Sequence, residues 1–248
     1  MSRQKKASIP GSEAHKMTKE EGRTPSAPTS SGSNQEVPEL PTVDAAPPAA
    51  EPKKEDPRLG PVMQLANICE FEAVHSRHVT FLALRLFDEL EPLHHLGREE
   101  RFWLQAGGLL HDIGWVEGWR SHHKTSMRII LATPMLPFSN KERLIIGSIA
   151  RYHRKGLPKS GHDNFAALPP ASQKVTCELA AFLRLADGLD RSHCGLVSDL
   201  SCKITDKRIT LFCKVQGQAE DELASAMGRS DLLQKVFKRK VDIVWSPP

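Results

Sequence analysis

Long apolar runs, paired cysteines and a dominant sign of charge are all missing from this chain of 248 residues. No stretch is long enough to span a membrane, and the N-terminal part lacks the continuous apolar core of a signal peptide. The cysteines, Cys69, Cys177, Cys194, Cys202 and Cys213, are odd in number, scattered and without CxxC spacing. They read as reduced thiols of a cytoplasmic protein, mostly small core residues. The formal net charge is only +4, which suits an anionic substrate but is too weak to imply nucleic acid. Aromatics are sparse too: none precedes Phe71, whereas ten of the 18 prolines lie between Pro10 and Pro61. Over residues 1–60, nine Lys/Arg balance nine Asp/Glu, so the net charge belongs to the remainder. A segment so poor in large apolar groups cannot offset its ordering entropy, and residues 1–60 are predicted to be a disordered Pro-rich tail.

The remainder can bury a sizeable core, and its periodicity is mostly helical. From Pro61 to Leu90, Leu65, Ile68, Val79, Leu82, Leu86 and Leu90 recur at helical spacing, with His75 four residues before Val79. His78 falls on a neighbouring face with Phe71, Val74 and Phe81, where a satisfied boundary histidine is the ordinary reading. A second helix is predicted over Arg98–Ile113, with Gly107 and Gly108 leaving room for a close neighbour and Gly114 as its stop. It places His111 and Asp112 in its last turn. His122, His123 and Lys124 follow in a polar loop, where adjacent histidines are ordinarily surface residues, before an apolar helix with Met127, Ile130 and Leu131. Ser139 or Asn140 caps a helix striped by Ile145, Ile146, Ile149 and Ala150, and His153 follows Ile149 by four. The cations Arg151, Arg154 and Lys155 around it either complement the helix dipole or form a clamp for phosphate oxygens.

A fifth long helix is predicted over Ala171–Leu189, where Asp187 follows Leu183 by four inside an apolar stripe. An aspartate there needs a partner, and Arg184 or Arg191 would supply a plain salt bridge. Beyond it the period changes to two, predicting a hairpin about Asp206-Lys207, then a helix over Glu220–Arg239 and a short strand from Val241 to Trp245. This last part holds no His/Asp constellation. Three regions follow: the tail 1–60, a helical metal-binding domain 61–195, and a small α+β appendage 196–248.

Single polar residues with metal-ligand chemistry thus recur on the apolar side of four helices: His75, His111 with Asp112, His153 and Asp187. Together they suggest one interior site built from converging helices. That order resembles the HD superfamily of helical metal-dependent phosphohydrolases. The strings HSRHV (75–79), LFDEL (86–90), LLHDIG (109–114), HHKTS (122–126), ARYHRKGLP (150–158) and LRLADGLDRSH (183–193) are more closely similar to the C-terminal region of the exopolyphosphatase/guanosine pentaphosphate phosphatase (Ppx/GppA) family. The resemblance covers roughly residues 65–245 and implies a mainly α HD-type bundle. In that family two actin-like lobes precede this region; here the tail stands in their place, so the sequence reads as a free-standing copy. Thr125 stands where the family often carries another histidine.

Carried over, the resemblance makes His75, His111, Asp112 and Asp187 ligands of a first metal. His123 (or His122) and His153 match the positions that hold a second, with Asp112 as bridge. It also implies attack of activated water on phosphorus, with Lys124, Arg154 and Lys155 stabilising the developing charge and Arg191 a weaker candidate. The function expected is divalent-metal-dependent hydrolysis of a phosphoanhydride or phosphate ester, such as polyphosphate, a guanosine polyphosphate or a nucleotide. Manganese, magnesium, iron or zinc would suit the ligands. The alternative is a non-catalytic module that binds polyphosphate or a nucleotide, regulatory or paired with an actin-like phosphatase. The α+β part is a candidate homodimer surface; neither membrane nor nucleic acid is an expected partner.

Overall fold

The computed structural model describes residues 56–246, so the predicted tail lies, up to residue 55, outside the described residues. Helices dominate: α1 (Leu59–Ile68), α2 (Ala73–Glu89), α3 (Glu91–His94), α4 (Arg98–Leu109), α5 (His122–Ala132), α6 (Asn140–Tyr152), α7 (Asp163–Ala166) and α8 (Pro170–Leu189). The C-terminal part adds β1 (Val197–Ile204), β2 (Arg208–Val215), α9 (Glu220–Arg229), α10 (Asp231–Phe237) and β3 (Lys240–Ser246). Among the described residues no helix is long and apolar enough to cross a membrane. The mainly α architecture with a small C-terminal sheet is the one expected.

Several boundaries differ from the sequence reading, each for a local reason. The single helix predicted from Pro61 to Leu90 is two. Glu70 takes a left-handed φ of 50°, and the Cys69 and Phe71 amides donate back to Leu65 O and Ala66 O at 3.1 Å each. The turn thereby satisfies the last carbonyls of α1 without a glycine to announce it. The helix predicted to reach Ile113 ends at Leu109, and a tight 3-10 turn over Ile113–Glu117 follows. Gly114 is therefore a contact residue, not a stop. A Cβ there would lie 2.1 Å from His122 O and 2.7 Å from Ser126 N, and the Gly114 amide donates to Ser126 Oγ at 2.9 Å. Only glycine lets this turn lie against the start of α5. Gly107 and Gly108 do admit close neighbours, α6 through Ile149 and α2 through Thr80.

The helix predicted over Glu220–Arg239 is interrupted at Ser230, and the break lets Asp231 reach Arg184 at 2.8 Å. The hairpin is present, with β1 antiparallel to β2, and β3 adds parallel to β2, giving the order β1-β2-β3. Ile209, Leu211, Cys213 and Val215 alternate inward along β2. They share one apolar cluster with Leu82 and Leu86 of α2, Leu183 of α8 and Leu233 of α10. A second cluster, with Leu65, Phe102, Leu110 and Ile130, packs α1 against α4 and α5. Cys69 and Cys213 are buried as expected, but Cys194 is exposed.

Candidate metal centre

Each candidate ligand sits at or near a helix end. His75 lies in the first turn of α2, Asp112 and His111 just after α4, His122 opens α5, His153 follows α6, and Asp187 lies two residues before the end of α8. All six are buried, and Asp112 and Asp187, at 8% exposed, are the most accessible of them. The six converge. His75 Nε2 lies 4.0 Å from Asp112 Oδ2 and 3.5 Å from Asp187 Oδ1. His111 Nε2 lies 3.5 Å from Asp112 Oδ2 and 3.9 Å from Asp187 Oδ1. On the other side of the same carboxylate, Asp112 Oδ1 faces His122 Nε2 at 3.0 Å and His153 Nε2 at 3.5 Å. Two groups that could hold an ion therefore share Asp112: His75 with His111, and His122 with His153.

The imidazole orientations carry the chemistry. Nδ1 of His111, His122 and His153 lies 2.7, 3.0 and 2.6 Å from the carbonyls of Gly108, Trp119 and Ala150. A carbonyl only accepts, so Nδ1 is the protonated nitrogen and Nε2 carries the lone pair. His75 is turned the same way by Asp190 Oδ2, 2.7 Å from its Nδ1. Lone pairs of four imidazoles thus face the lone pairs of two carboxylates. His75 Nε2, His111 Nε2 and Asp112 Oδ1 have no hydrogen-bond partner at all. Buried acceptors facing acceptors are costly unless a cation lies between them. Separations of 3.0–4.0 Å suit ligands about 2.0–2.2 Å from a common ion. Protonation is equally suited. Burial pushes the His111 and His153 imidazoles down from their ordinary value. Burial would raise Asp112, but the surrounding His111, His122 and His153 hold it well below the usual carboxylate range. Neutral imidazole beside ionised carboxylate is the form in which both bind metal.

The model for domain III of the Ppx/GppA phosphatases matches residues 58–235 of this sequence. That match spans well over half of the chain. The protein belongs to the Ppx/GppA phosphatase family. No curated protein matches it.

The geometry of this Ppx/GppA domain departs from the sequence reading at the histidine pair and at the partner of Asp187. The His122-His123 pair lies in the first turn of α5, not in a loop, and both rings are buried. Of the two, His122 joins Asp112. His123 belongs to neither ligand group and instead lines a neighbouring cavity of about 360 Å³ with Lys124, Arg151, Arg154 and Lys155. Burial first, then the neighbouring His122, Arg154 and Lys124, push its imidazole down to about 4. The salt-bridge partner of Asp187 is neither Arg184 nor Arg191 but Arg229 of α9, since Arg184 is taken by Asp231.

A second cavity of about 290 Å³ opens on the ligands themselves and is lined by Asp112, His153 and Asp187 together with Arg154, Arg191 and Arg229. Arg154 borders both cavities. The C-terminal part, which holds no His/Asp constellation, thus contributes Arg229 to the second cavity. Gly188 makes this close: a Cβ there would meet Ala226 Cα at 2.7 Å, which seats α9 directly on the end of α8. Asp190 and Arg229 both escaped the sequence reading. Asp190, three residues after Asp187 on one helical face, was legible as a second carboxylate. Arg229 left no local signal.

Proposed function

We propose that this protein is a divalent-metal-dependent phosphohydrolase of the HD type, cleaving a phosphoanhydride or phosphate ester. The observation that carries the reading is the set of orphaned imidazole and carboxylate lone pairs beside a cavity walled by cations. His75, His111, Asp112 and Asp187 would hold one ion, and Asp112, His122 and His153 a second. When bound, divalent ions supply Lewis-acid stabilisation and acidify water at neutral pH. The imidazole-rich donor set favours manganese, iron or zinc; magnesium would need more water ligands.

This chain's own residues do the rest. Asp112 turns one oxygen to each ligand group, Oδ2 to His75 and His111 and Oδ1 to His122 and His153. Arg154, bordering both cavities, is suited to bind the phosphate oxygens at the ligands, with Lys124 and Lys155 holding the charge of the remaining substrate. Trp115 stacks on His122 with ring centroids 5.0 Å apart. Polyphosphate, guanosine polyphosphates and nucleotides are the substrates proposed. Phosphate release from each, with manganese, magnesium, iron(II), zinc or no metal, tests the reading against the Asp112→Ala protein. Metal-dependent release that the variant lacks supports it; silence from a folded, metal-loaded protein contradicts it.

One observation favours a second reading. Arg229 donates to Asp187, a ligand carboxylate, and so competes with an ion for it. In that reading the domain binds polyphosphate or a nucleotide without turnover, and tight binding with no release at any metal concentration would support it. A cytoplasmic compartment and a homodimer through the C-terminal α+β part are proposed as well.

A further inference from the structure

Three of the four converging imidazoles are oriented by a backbone carbonyl, and one is not. His75 alone is held by a carboxylate, that of Asp190, at 2.7 Å. Orientation does not require this, because the carbonyls of Gly108, Trp119 and Ala150 achieve it at similar distances. Asp190 is 1% exposed, and a carboxylate so deeply buried is costly unless closely paired. Its other oxygen accepts the Gly195 amide at 2.9 Å. That contact closes the turn after α8, in which Gly195 takes a φ of 64°. The same turn lays His193 flat against His75, with ring centroids 3.6 Å apart and planes 2° from parallel. Glu72 holds His193 in turn at 2.9 Å. His75 is thus fixed at its edge by a charge and over its face by a ring.

We infer that Asp190 is a positioning residue that makes the ion position served by His75 the tighter of the two. A carboxylate on Nδ1–H increases electron donation from Nε2 toward a cation, which a neutral carbonyl does far less. The His122–His153 position has no such carboxylate on either imidazole. Cations border both positions, Arg229 at Asp187 and Arg154 at His122, so the carboxylate on His75 is what distinguishes them. This inference rests on the metal-binding reading proposed above and adds an order of affinity and the residue that sets it.

Isothermal titration of the metal-stripped full chain with Mn²⁺ tests it without reference to turnover. The wild-type protein should bind in two steps, and His153→Ala should lose the weaker one. Asp190→Asn should weaken the tighter step about 10–100-fold while leaving the weaker one in place. A titration of Asp190→Asn that matches wild type, or that weakens both steps alike, overturns the inference while leaving metal binding intact. Wild-type protein that takes up no Mn²⁺ overturns the metal-binding reading and this inference with it. Should Asp190→Asn not fold, Asp190→Ser, which keeps a hydroxyl for the Gly195 amide and removes the charge from His75, must give the same selective loss.

Discussion

On one side of Asp112 lie His75, His111 and Asp187, backed by Asp190, His193 and the apolar cluster shared with the C-terminal sheet. On the other side lie His122 and His153, whose Nδ1 atoms meet backbone carbonyls and not a carboxylate; His122 also borders the cavity carrying Lys124, Arg151, Arg154 and Lys155. The two sides use the same ligand chemistry but differ in what holds it. Cations border both, since Arg191 and Arg229 line a cavity at Asp187. Only the first side carries a carboxylate on an imidazole, Asp190 on His75, and the division runs through Asp112.

Removing that carboxylate is the largest perturbation. Asp112→Ala should abolish phosphate release, a loss of several kcal/mol in transition-state stabilisation and so at least about 10³-fold in kcat. Residual release within tenfold of wild type would show that the two sides act without a shared ligand. The next effect falls on the His122–His153 side. Arg154→Ala should cost about 1.5–3 kcal/mol, roughly 10–100-fold in kcat/KM, through lost charge-assisted bonds to phosphate. Metal affinity should not fall, because Arg154 donates to His122 Nε2 at 3.4 Å and so competes with an ion for it; a parallel fall would place Arg154 with the ligands instead.

Chelation addresses the His75 side. An ion present at about 100 times its Kd stabilises by about 2.7 kcal/mol, so stripping it should lower the melting temperature by roughly 5–10 °C for a chain of this size. An unchanged melting temperature would mean that the buried donors are satisfied without a cation.

The smallest effect is that of pH on the stripped protein. His123 is pushed down to about 4 from an ordinary 6.5, so the unfolded chain binds its proton first as pH falls. The stability it contributes is complete above about 6.5 and is lost progressively toward pH 4. His111 and His153, also lowered, act in the same direction from the same upper limit. Thermal melts of metal-free protein should therefore fall from pH 7 to pH 5, less steeply for His123→Gln. A rise over that interval would contradict the neutral, buried state of these rings.

Much of the candidate cluster was legible in the sequence, because its residues are placed by local periodicity. His75, His153 and Asp187 each lie four residues from Val79, Ile149 and Leu183, apolar residues fully buried in the structure. A polar residue in such a stripe must either find a partner inside or disrupt the helix. What escaped depends on contacts that local sequence does not encode. The histidine pair looked like a loop because its neighbours are polar, and its burial comes from Gly114 admitting the 3-10 turn against α5. Arg229 reaches Asp187 across 42 positions of sequence, through a helix whose docking on Gly188 only the assembled fold reveals. The break at Glu70 was invisible for the opposite reason: the apolar period runs on through a turn that carries no glycine or proline.

Anomalous diffraction from crystals of the Mn²⁺-loaded protein would reveal each ion position separately. Two peaks are expected about Asp112, one among His75, His111 and Asp187, the other between His122 and His153, with the first surviving a brief chelator soak longer than the second. No peak at either position, or a single peak bound by His123 and away from Asp112, would contradict this arrangement.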